Sequence, residues 1–187
     1  MKKAFRLLIV AAVCVSGFSF ATTVIPPSFD ELVTHAQIIF EGTVTNVRSA
    51  WIGEGAQRHI VSYVNFKVND TFKGNPGNQI TLRMFGGTVE GQTMEVSDAP
   101  KFKRGDRDVL FVENNGTQFI PLVGIMHGRF HVRKDANGRD VIYKNDGSPL
   151  TATDQIGKEQ GAEGAPIALH QLKQAVQARA GQLTPQP

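Results

Sequence analysis

Five histidines are the residues of this chain best suited to hold a metal or move a proton near neutral pH. Only His127 and His131 lie close in sequence. On one extended strand, four residues at about 3.3 Å each would set them roughly 13 Å apart, too far for a shared ion. A bulge at Gly128 would shorten that span, so the pair is the metal-ligand candidate. The competing reading is a solvated strand face that also carries Arg129 and Arg133. His35, His59 and His170 have no ligand-like spacing and read as surface or helix-end residues. Asp106 and Asp108 alternate, which puts two carboxylates on one strand face as acid/base chemistry would need. They flank Arg107 at the start of an apolar run, and charge at a strand end accounts for them. The segment 135–140, Asp-Ala-Asn-Gly-Arg-Asp, has an outline of a calcium loop, but its glycine is early and no closing glutamate follows, so it reads as a hairpin turn.

No Gly-x-Ser-x-Gly elbow, phosphate loop or His-Glu-x-x-His motif is present. Gly86, Gly87 and Gly91 do not fit a dinucleotide fingerprint. Phe66, Phe85, Phe111 and Tyr143 would make a stacking platform on a nucleic-acid-binding barrel, but core packing explains them as well. No catalytic residue, cofactor or resident metal is therefore expected.

The elements that would carry these residues follow from periodicity. Ser28-Phe29-Asp30-Glu31 has the form of a capping box and predicts a short helix over Phe29–His35. The period then changes to two: Ile38, Phe40, Gly42 and Val44 alternate with Glu41, Thr43 and Thr45, and Ile60, Val64, Phe66 and Val68 with polar neighbours. These predict long antiparallel strands with one wet face, joined by the loop 51–57. Further strands are expected over 80–85, 88–96, 109–112, 119–123, 129–134 and 140–143, separated by Gly-, Asn- and Pro-rich turns. Strands at this spacing without intervening helices predict a mainly β fold, an antiparallel β-barrel that is closed or nearly so. The polar stretch 151–165 reads as a linker, 166–181 as a helix packed on the barrel with Ile167, Leu169, Leu172 and Val176 inward, and 182–187 as a tail.

Residues 1–21 have the pattern of a secretory signal peptide: Lys2, Lys3 and Arg6, then an apolar run from Leu7 to Val15, then Ser19-Phe20-Ala21 as a cleavage site. That run is too short to span a bilayer, and Val13 before Cys14 does not suit a lipoprotein box. Removal of residues 1–21 leaves 166 of the 187 residues, one domain over 22–150 with its helical appendage. It takes away the only cysteine, and with it any internal disulfide. It also takes three of the 20 basic residues, leaving 17 against 17 acidic ones. A neutral chain of this kind has no electrostatic attraction to nucleic acid or to an anionic membrane. Thr22, exposed by cleavage, has the chemistry of an N-terminal nucleophile, although any cleavage exposes some residue.

The succession AQIIFEGTVTNV, VNFKVNDTFKG, ITLRMFGG and FKRGDRDVLFV, over 36–112, resembles bacterial secreted proteins of netrin-like or tissue-inhibitor-of-metalloproteinase-like type. The resemblance implies an OB-type barrel, with matches at core positions and turn glycines. Inhibitors in that family chelate a protease zinc through a mature N-terminal cysteine. Here the expected terminus is Thr22, so that route is closed and no site residue carries over. Export, the lack of a catalytic set and this resemblance together predict a soluble periplasmic or extracellular module that binds a protein or peptide partner, with protease control as the role the resemblance implies. The alternatives are a small hydrolase or metal-dependent enzyme with an unrecognised site, and a structural component of the envelope.

Overall fold

The structure, a computed structural model, describes residues 25–158 and 164–183. The signal segment 1–21, Thr22, part of the stretch read as a linker and most of the tail lie outside the described residues. The first element, α1 (Phe29–His35), begins as its sequence dictates: the Ser28 hydroxyl accepts from the Glu31 amide, and the Glu31 carboxylate accepts from the Ser28 amide. Its far end is closed by Lys73, whose ammonium donates to the carbonyls of Val33 and Ala36. Leu32 and Val33 are fully buried.

The strands are β1 (Ile38–Ile52), β2 (His59–Lys73), β3 (Gln79–Phe85), β4 (Gly87–Val89), β5 (Gln92–Met94), β6 (Arg107–Val112), β7 (Arg129–Lys134) and β8 (Asp140–Lys144), and the last helix is α2 (Leu169–Leu183). Six of them form one antiparallel sheet in the order β3-β2-β1-β6-β7-β8, while β4 and β5 form a separate hairpin. The mainly β class and the two helices stand as expected. The barrel does not: β3 and β8 are outer strands that do not pair with each other.

Each outer strand is covered by irregular chain instead. On β3, the Asn115 side chain accepts from the Arg83 amide and donates to the Thr81 carbonyl, and the Phe119 carbonyl takes the Phe85 amide. A side-chain amide thus stands in for a strand's backbone, which explains why 119–123 is not the strand its apolar run suggested. On β8, Leu150 donates to the Ile142 carbonyl and Ile142 to the Ile167 carbonyl. Ile167 is thereby drawn into an edge contact, and α2 begins at Leu169 rather than at Pro166. Covering both edges in this way leaves little unpaired backbone to recruit another chain there. The expected strand over 88–96 is a hairpin with Glu90 and Gly91 at positive φ.

The sheet buries apolar residues on both faces at once. Ile39, Val109, Phe111 and Ile142 pack under the two helices, with Leu172 and Val176 of α2. Phe40, Phe66, Leu82, Leu110 and Leu122 form the core of the opposite face. The first half of β1 therefore has no wet face: Ile39 and Phe40 are both fully buried, and Glu41 is 2% exposed. Ile156, from the polar stretch 151–165, is also buried, in the helical-side core.

Candidate functional site

β1 and β6 run side by side from Ile38↔Val112 to Thr43↔Arg107. Two more bonds end this ladder, Val44 N–H to the Asp106 carbonyl and Gly105 N–H to the Val44 carbonyl. Beyond them β1 continues to Ile52 paired only with β2, after an irregularity between Val44 and Asn46. The chain leading into β6 peels away, and a cavity of about 330 Å³ opens in the gap. Val47, Val64, Met84, Phe102 and Ile120 give it apolar walls. Its polar groups include Ser49 and Ser62, whose hydroxyls lie 2.9 Å apart. Ser62 donates its one proton to the Gly86 carbonyl at 2.7 Å, so the proton between the two hydroxyls is that of Ser49.

The β4–β5 hairpin roofs this cavity. Its attachment rests on Gly86, whose amide donates to the Ile60 carbonyl, and on Met94, whose sulfur accepts from the Ile60 amide at 3.2 Å. Gly87 sits so close above the serines that a Cβ would lie 2.4 Å from both hydroxyl oxygens, and its φ is +136°. Only glycine permits that approach. Beside the cavity, Phe85 stacks on His59 and meets Phe119 edge-on, both with centroids 5.1 Å away, and Phe119 is 70% exposed.

A second polar arrangement lies at the β6–β7 pair. Asp108 is fully buried and accepts from Arg129 at 2.9 Å and from the His131 ring at 2.7 Å. Its register partner is His131, so the contact is fixed by strand pairing. Arg129, 4% exposed, also reaches Asp106 at 2.9 Å and the Lys101 carbonyl at 2.7 Å, and its guanidinium lies 4.0 Å from the centre of the Phe102 ring. The two carboxylates suspected of paired acid/base chemistry therefore share one guanidinium. On the other face Arg107 joins buried Glu41 at 2.6 Å to Asp140 at 2.7 Å, and Asn69 donates to the same Glu41 oxygen. The Arg107 hydrogen bond, assisted by Lys134, holds the Asp140 carboxyl below its usual range.

The two candidate histidines face different cavities. His131 lies in an open cleft with Lys101, Lys103 and Arg133, and His127 in one of about 270 Å³ beside Pro27 and Asp146. Burial pushes the His127 imidazole below its ordinary value, partly offset by Asp146 and Asp98. Among the described residues no three His, Cys, Asp or Glu side chains come together as a metal site. Asp135 accepts from the amides of Asn137 and Arg139, a hairpin turn in the place where a calcium loop was considered. His59 lies against Phe85, whereas His35 and His170 are exposed. Phe66 and Phe111 are buried on opposite faces, so they share no stacking platform.

No family model matches the chain. No curated protein matches it either. The site therefore has to be read from its own chemistry. Among the described residues no helix is long and apolar enough to cross a membrane.

Proposed function

We propose that this chain is an exported binding module, taking a protein or peptide partner at the cavity between β1 and the chain entering β6. The observation that carries the reading is the cavity itself: apolar walls, two hydroxyls at its floor and a lining Phe85 that packs on exposed Phe119, in a place where the main sheet splits open. Concave, mostly apolar sites with a few placed polar groups are where ligands bind, and 330 Å³ suits one or two side chains of a partner. The signal-like segment 1–21 and the likeness of the strand motifs to secreted netrin-like modules support export and binding.

The test is selection of a displayed peptide library on the chain from Thr22 onward, beside an Ala99→Trp variant that fills the cavity wall. The reading expects enriched peptides that lose the variant. Equal enrichment on both proteins would remove the cavity from the account. Terminal sequencing of the exported protein should read Thr22, and a retained Met1 would overturn the export reading.

An enzymatic reading has one observation in its favour, an imidazole held by a buried carboxylate in an open cleft. Its test is hydrolysis of an ester and peptide panel by the protein and by His131→Ala. Turnover abolished in the variant would establish it, and no turnover in either would dismiss it.

A further inference from the structure

The cavity adjoins a stretch of strand edge whose outward backbone groups no group in the described chain hydrogen-bonds. Ile60 sends its own N–H to Met94 and its carbonyl to Gly86, away from β1. In the antiparallel pair Trp51↔Ile60 the backbone groups of Trp51 must then turn away from β2 as well. The same holds two and four residues back, at Ser49 and Val47, which pair with Ser62 and Val64. Among the described residues no backbone or side-chain group bonds these outward amides and carbonyls. Both ends of the main sheet are covered, whereas this interior edge is open, and the side chains of Val47 and Ser49 line the cavity beneath it.

Resting on the binding reading above, we infer that the ligand is an extended peptide segment of alternating apolar and acidic residues, which adds as an antiparallel strand to the 47–51 edge of β1. Strand addition supplies affinity through the backbone and specificity through alternate side chains. A residue directly opposite Ser49 exchanges both backbone bonds with it and points to the same face, into the apolar cavity. Its neighbours point to the other face, where Arg48 is exposed with its guanidinium 4.7 Å from the Tyr63 ring centre. Among the described residues no carboxylate pairs with Arg48, whereas Arg58 lies over the Trp51 ring at 4.3 Å, on the cavity side. The unpaired Arg48 guanidinium selects a carboxylate beside it on that face.

The probe is the capped pentapeptide Val-Glu-Val-Glu-Val, titrated into the chain from Thr22 onward with amide chemical shifts and Trp51 fluorescence as readouts. Binding should move the Val47, Ser49 and Trp51 amides and slow their exchange with solvent. N-methylation of the three valines, whose N–H groups would face β1, should weaken binding about tenfold or more, whereas N-methylation of the two glutamates should leave it within about twofold. Arg48→Glu should cost about threefold, recovered with lysine in place of the peptide glutamates. Equal losses from the two methylation patterns would overturn strand addition while leaving a cavity ligand standing. No binding of the peptide would overturn the inference and leave the library selection to decide the module reading. A concentration-dependent dimer that protects the same three amides would assign the edge to a second copy and overturn it too.

Discussion

Replacing Asp108 by alanine removes a fully buried carboxylate from between Arg129 and His131. Arg129 stays where it is, 4% exposed, with Asp106 as its remaining carboxylate and the Lys101 carbonyl as its remaining acceptor. Stripping one partner from a buried pair typically costs about 3–5 kcal/mol, because the other charge is left without compensation. Asp106 is 16% exposed and retains part of the attraction, which places this variant near the lower end, about 3 kcal/mol. For a chain of this length that corresponds to a melting temperature lower by roughly 6–12 °C. Urea unfolding followed by circular dichroism measures it, with an unchanged slope showing that the same surface unfolds. The companion variant Asp108→Leu/Arg129→Met should be more stable than Asp108→Leu alone, since the orphaned guanidinium is gone. A loss below about 1 kcal/mol for Asp108→Ala, the range of exposed ion pairs, would refute the view that this network ties β6 to β7.

Asn115→Ala removes both bonds to the β3 edge, with an expected cost of about 1–2 kcal/mol and a concentration-dependent increase in light scattering as that edge opens. Unchanged scattering would show that the edge is guarded by something else. Gly87→Ala should cost about 2 kcal/mol or more in urea unfolding, since it forces a Cβ against two hydroxyls at a φ of +136°. Ser28→Ala should lose about 1 kcal/mol, and Ser28→Asp should restore most of it. The folded state holds the His127 proton less tightly than the unfolded chain does, so stability present above pH 6.5 should fall as the pH drops below that value. In His127→Leu the melting temperature should decline less between pH 7 and pH 5, and an identical decline would contradict the burial argument.

Local patterns were legible where local physics decides the outcome. The capping box sets α1 at the residues where it occurs, and the turns at 74–78, 114–116 and 135–138 interrupt the strands as their glycines and asparagines require. Non-local pairing was harder to read. The run 119–123 looks like a strand, but Ile120 and Leu122 fill the core beneath β3 while Phe119 is exposed and Asn115 makes the edge bonds. Glu41 looks like a solvated residue because alternation assumes one wet face, and only the arrival of Arg107 from a distant strand explains its burial. Asp106 and Asp108 were visible as a carboxylate pair, but the guanidinium that joins them comes from β7. The cavity itself had one trace in the sequence, Gly86-Gly87, legible as a break in a strand. That a missing Cβ there admits the hairpin to Ser49 and Ser62 depends on contacts across more than twenty residues of chain.

The central claim is that the gap between β1 and the chain entering β6 is the binding surface. Amide chemical-shift mapping with the peptides recovered by library selection tests it most directly. The account predicts the largest shifts at Val47, Ser49, Met84 and Thr93 around the cavity, with Asp108 and His131 unmoved. Shifts concentrated at His131, Arg133 and Lys103, with the cavity residues silent, would contradict it and move the functional surface to the cationic cleft.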